Sequence, residues 1–88
     1  MSAEILIIDD NSDIRSILNE LIKEAGYKTR LAANYNQALL EIDKKLPDVA
    51  IIDVKLDKGD NDGIELLNHI KQKDKDVPVI VISGHANI

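Results

Sequence analysis

Asp9, Asp10 and Asp53 are the residues of this chain best placed to do chemistry, because each follows a short apolar run. Residues 5–8 lead into Asp9-Asp10, and residues 49–52 lead into Asp53. Continuous apolar runs of this length read as strands of a parallel sheet buried on both faces. In open α/β sheets, ligand sites lie beyond the carboxyl ends of the strands. Carboxylates brought together from two strand ends repel one another unless a cation sits among them. A hard divalent ion with oxygen ligands, with a phosphate group facing it, is the chemistry these residues suit.

Those carboxylates need strands and helices to hold them, and the rest of the chain supplies an alternation of the two. Residues 4–8 read as a first strand. Asn11 or Ser12 suits the cap of a helix over 13–25. Its apolar positions are Ile14, Ile17, Leu18, Leu21, Ile22 and Ala25, three and four apart. Gly26 then fits the left-handed position past a helix end. Residues 28–32 read as a short, polar edge strand. A second helix over 36–45 turns Ala38, Leu39 and Ile42 inward, and Pro47 stops it. Residues 49–52 form a third strand, 54–62 a loop rich in Asp, Lys and Gly, and 64–73 a third helix with Ile64, Leu67 and Ile70 on one face. A fourth strand covers 77–82, and the residues from Ser83 onward read as a loop entering another helix. Strand-helix units with short loops imply right-handed crossovers and a parallel sheet.

At 88 residues the chain fits one domain at most, with a small core. A net charge of -5 argues against direct nucleic-acid binding, which needs clustered Lys and Arg. With no cysteine there is no disulfide framework and no thiolate metal site. The longest apolar run is too short to cross a bilayer. The first residues lack the basic and apolar parts of a signal peptide, so a cytoplasmic location is expected.

The segments ILIIDDNSDIR at 5–15, PDVAIIDVKL at 47–56, DGIELL at 62–67 and PVIVISGH at 78–85 together resemble a response-regulator receiver domain, the phosphoacceptor module of two-component signalling. A loop after Asp53 that is longer than in most receivers, together with VISGHANI, is similar to the NtrX branch. The resemblance implies a flavodoxin-like (CheY-like) doubly wound α/β fold with strand order 2-1-3-4. It implies that Asp53 accepts a phosphoryl group from a sensor histidine kinase. It implies Mg2+ held by Asp9, Asp10, Asp53 and the backbone carbonyl of Lys55, and a Ser83 hydroxyl on a phosphoryl oxygen. It further implies a role in regulating transcription.

The family also uses a Lys at the end of a fifth strand. The sequence covers four strands and three helices, so 1–88 is expected to be a partial receiver lacking a final helix-strand-helix segment, roughly 30 residues. Such a chain is expected to bind Mg2+ but to accept phosphate poorly. Strand four would then be an unpaired apolar edge, and Ile14, Leu18 or their neighbours would be uncovered. A homo-oligomer or swapped dimer through that edge is the expected consequence.

Plainer readings stand beside each of these. Asp9 and Asp10 also suit a helix start, and Ser83 also suits a turn. Asp57, Asp60 and Asp62 read as solvated loop charge, since their spacing does not fit an EF-hand. His69 reads as an exposed helical residue, the Lys55 side chain as pointing to solvent, and Gly63 as a helix-entry turn. His85 lies near Ser83 in sequence. The competing functions are a phosphate-independent protein-interaction module and a flavodoxin-like cofactor binder. The latter lacks a phosphate loop after strand one.

Overall fold

The computed structural model describes residues 3–83. Its elements in chain order are β1 (Glu4–Ile8), α1 (Ser12–Glu24), β2 (Lys28–Ala32), α2 (Tyr35–Lys44), β3 (Val49–Asp53), α3 (Asp62–Lys73) and β4 (Val79–Ile82). The strands form one parallel sheet in the order β2-β1-β3-β4. The path from β1 to β2 crosses the sheet in one direction, and the next two crossovers run in the other. Right-handed connections therefore put α1 on one face and α2 with α3 on the opposite face.

Strand alternation distributes the apolar residues between those faces. Leu6, Ile8, Ala50 and Ile52 pack with Ala38 and Ile42 of α2 and Leu66 and Ile70 of α3 in one buried cluster. Ile5 and Ile7, also buried, point the other way, toward α1. Burial of a Leu or Ile side chain contributes about 2 kcal/mol, so this cluster is the main source of stability.

Local signals set the ends of the elements. The Asn11 side chain caps α1 by accepting from the Asp13 and Ile14 amides at 2.9 and 3.2 Å. Gly26 closes that helix at φ +97°, where a side chain would be strained. Arg30 on β2 meets Glu4 at 2.8 Å and Glu41 at 3.0 Å, joining β1, β2 and α2. No helix among the described residues is long and apolar enough to cross a membrane.

Three details differ from the periodicity reading. α1 buries none of its residues, and Ile17 and Leu21 are each 57% exposed. The apolar stripe is present, but among the described residues α1 is the one helix on its face, over β1 and β2. In α3 the buried residues are Asp62, Gly63, Leu66 and Ile70, whereas Ile64 is exposed and Leu67 half-buried. α3 begins two residues earlier than expected and rests Gly63 on β3, which sets its rotation. Finally, β4 starts at Val79; Val77 is buried in the turn before it. Residues 84–88, including His85 and the entry to a further helix, lie outside the described residues.

Candidate functional site

β1 and β3 are neighbours with Ile8 opposite Ile52, so the residues that follow each, Asp9 and Asp53, emerge side by side. Asp9 and Asp53 are 1% and 2% exposed, while Asp10 faces solvent. One carboxylate oxygen from each of the three lies within 4.8 Å of the others. Two buried carboxylates and one exposed one thus share a single corner at the carboxyl end of the sheet.

Asp9 is held from several sides. Its amide donates to the Ala32 carbonyl at 3.2 Å, and the Arg15 guanidinium donates to the Asp9 backbone carbonyl at 2.7 Å. Its Oδ1 accepts from the Asn11 amide at 2.9 Å. Oδ2 is buried and meets no hydrogen-bond donor among the described residues. Burial pushes the Asp9 carboxyl above its ordinary pKa. The Asn11 amide opposes that shift, the Asp53 and Asp10 charges reinforce it, and Arg15 opposes it more weakly. A buried, ionisable oxygen without a donor, facing two further carboxylates, is what a cation site needs.

Asp53 is fixed by the backbone around it. Its Oδ1 accepts from the Lys55 amide at 3.2 Å, and the Val54 amide donates to Ile82 at 2.8 Å. Gly63 lies against the same stretch, because a Cβ there would fall 2.5 Å from the Asp53 carbonyl oxygen. Ser83 is exposed and directly follows Ile82, the residue paired with Asp53 across the β3–β4 ladder. The Lys55 side chain is exposed and pairs with Asp60 at 3.4 Å, as a residue pointing to solvent would.

The acidic loop residues do not all behave alike. Asp60 is exposed, as read from the sequence. Asp57 instead accepts from the Tyr35 amide at 2.9 Å and so ties the loop to the start of α2. Asp62 is not solvated loop charge: it is 3% exposed, and its Oδ2 accepts from the Lys58 and Gly59 amides at 2.8 and 3.0 Å. His69 is half-buried and meets Asp43 at 2.9 Å, bridging α2 and α3 away from the acidic corner. Asn11, Arg15 and Asp62 support the site without having been singled out for it. Each lay in a segment with a sequence signal, Asn11 as a helix-cap candidate, Asn11 and Arg15 in the motif at 5–15 and Asp62 in the motif at 62–67, but none was marked for the site.

Comparisons with known proteins agree with this geometry. Residues 5–88 match the response regulator receiver domain family. The chain is 40% identical over 88 residues to the nitrogen assimilation regulatory protein NtrX of Azorhizobium caulinodans, spanning 19% of that protein. It is 39% identical over 88 residues to the sporulation initiation phosphotransferase F of Bacillus subtilis, spanning 69% of it. The crystal structure of a CheY-like receiver domain protein from Methanospirillum hungatei superposes with a TM-score of 0.88 at 26% identity, covering 100% of this chain and 69% of that one. A four-stranded 2-1-3-4 parallel sheet with acidic residues at its carboxyl end, and a family match over nearly all of its length, make this chain a member of the response regulator receiver domain family of two-component systems.

Proposed function

We propose that this chain is the phosphoacceptor of an NtrX-like response regulator and that Asp53 takes a phosphoryl group from a sensor histidine kinase in the cytoplasm. The single observation that carries the reading is the convergence of Asp9, Asp10 and Asp53, with a buried Asp9 oxygen that no described donor meets. An Asp53 carboxylate oxygen forms a bond to phosphorus as the nitrogen–phosphorus bond of the phosphohistidine breaks. The electron pair of that bond returns to the imidazole nitrogen. Asp9, Asp10, Asp53 and the Lys55 carbonyl would hold Mg2+, which when bound offsets the repulsion between carboxylate and phosphoryl oxygens. The Lys55 amide holds one oxygen of the Asp53 carboxylate at 3.2 Å, and Gly63 packs against the Asp53 backbone, so the carboxylate is oriented before the donor arrives. The Ser83 hydroxyl is assigned to a phosphoryl oxygen, which its position beside the ladder partner of Asp53 supports. Control of transcription belongs to the same proposal, by analogy with NtrX.

The test is treatment with acetyl phosphate and Mg2+ followed by intact-mass measurement. Wild type is expected to gain phosphate slowly and to less than one per chain, in keeping with poor acceptance, and Asp53→Asn to gain none. Equal uptake by both proteins overturns the assignment of Asp53. No uptake by either leaves the second reading, a phosphate-independent interaction module, which the exposed Ile17 and Leu21 of α1 favour. Self-association through β4 is a further part of the proposal. It is supported by the end position of β4 in the strand order and by Ile80, 52% exposed upon it.

A further inference from the structure

We infer that Asp62 is a positioning residue for the metal site: its buried carboxylate fixes the loop that carries the Lys55 carbonyl. The inference rests on the Mg2+ reading above.

The loop between β3 and α3 runs over residues 54–61 and is half charged and mostly exposed. Left to itself, such a segment samples many conformations. Several constraints hold it, among them the tie of Asp57 to the Tyr35 amide at 2.9 Å and the surface pair of Lys55 with Asp60 at 3.4 Å. Lys55 is tied at one end by its amide to Asp53 Oδ1 at 3.2 Å. Leu56 is buried in the core cluster. At the other end Asp62 Oδ2 receives both amides of the Lys58-Gly59 turn, at 2.8 and 3.0 Å, where the Lys58 ammonium also lies 5.3 Å from the centre of the Tyr35 ring.

Asp62 itself cannot shift easily. The next residue, Gly63, donates to the Val54 carbonyl at 3.0 Å and leaves no room for a Cβ against Asp53. The carboxylate is therefore anchored on the backbone of the phosphoacceptor while it grips the far side of the loop. A plain helix-capping role does not account for this. Asn61 occupies the cap position of α3 without a side-chain cap bond, and Asp62 turns back to the loop. Burying a carboxylate is costly unless it is hydrogen-bonded, and the two loop amides provide those bonds. Groups that orient metal ligands typically change metal affinity 10–100-fold when removed.

The test is a Mg2+ titration of the 88-residue chain followed by amide NMR shifts, with metal-free melting measured in parallel. Asp62→Ala is expected to weaken Mg2+ binding about tenfold. Asp62→Asn keeps an acceptor oxygen in place and is expected to stay within about threefold of wild type. Asp62→Glu keeps the charge but displaces the acceptor; it is expected to weaken binding as Ala does, and it serves if the Ala variant does not fold. Unchanged affinity in Asp62→Ala or Asp62→Glu overturns the inference, even where melting temperature falls, because that is what a merely structural residue would do. Equal weakening in Asn and Ala, with Glu unaffected, also overturns it, since charge and not placement would then be responsible. A wild-type chain that ignores Mg2+ sinks the metal reading itself, which is a separate outcome.

Discussion

Asp9→Asn should make the metal-free protein more stable, and the size of the gain follows from the acidic corner. Carboxylate oxygens of Asp9, Asp10 and Asp53 lie within 4.8 Å of one another. At that separation two unit charges repel by about 1 kcal/mol in a water-like medium and about 3 kcal/mol at an effective dielectric constant of 20. Asp9 and Asp53 are buried and Asp10 is exposed, so the Asp9–Asp53 pair dominates, at about 2 kcal/mol. Asn in place of Asp9 removes that repulsion and the burial of charge, yet its oxygen can still accept from the Asn11 amide. In a domain of this size about 2 kcal/mol raises Tm by roughly 8–16 °C. The assay is thermal melting by circular dichroism at pH 7 in EDTA.

The sign with pH is fixed. Burial raises the Asp9 pKa above 3.8, so the folded state holds this proton more tightly than the unfolded chain does. Ionised Asp9 thus costs stability above its raised pKa, and that cost fades as pH falls. The advantage of Asp9→Asn should narrow on acidification and close below 3.8. Mg2+ at about 100 times its Kd should add ~2.7 kcal/mol to wild type and little to the variant. A lower Tm for Asp9→Asn in EDTA, or an equal Mg2+ response in both proteins, would refute the reasoning.

Two other outcomes test the fold around the site. Gly63→Ala puts a Cβ 2.5 Å from the Asp53 carbonyl oxygen and should cost about 3 kcal/mol in urea unfolding, whereas Gly59→Ala, whose nearest atom is 3.9 Å away, should cost far less. If the two are equal, α3 does not rest on β3 as described. Sedimentation at rising concentration should show self-association of wild type that Ile80→Lys reduces; a wild-type monomer throughout counts against an interface on β4.

Apolar runs closed by acidic residues, helix periods and the glycine after α1 were all legible in the order of residues. They fixed the strand-helix alternation and, with the resemblance to receivers, the strand order that the structure has. They also marked Asp9, Asp10 and Asp53, because the strand ends of a parallel sheet share one edge whatever the details of packing. Rotation of the helices was not legible. A period of 3.6 names a stripe in α1 and α3, but Ile17, Leu21 and Ile64 stay exposed because burial depends on what lies opposite. The fate of the loop charges was equally hidden. Asp57, Asp60 and Asp62 look alike in sequence; only the approach of Tyr35, Lys55 and the Lys58-Gly59 turn separates a helix tie, a surface pair and a buried clasp. Local chemistry determines which elements form and where their ends fall. Which polar groups find partners is decided by contacts between segments distant in the chain, and those exist only once the sheet has assembled.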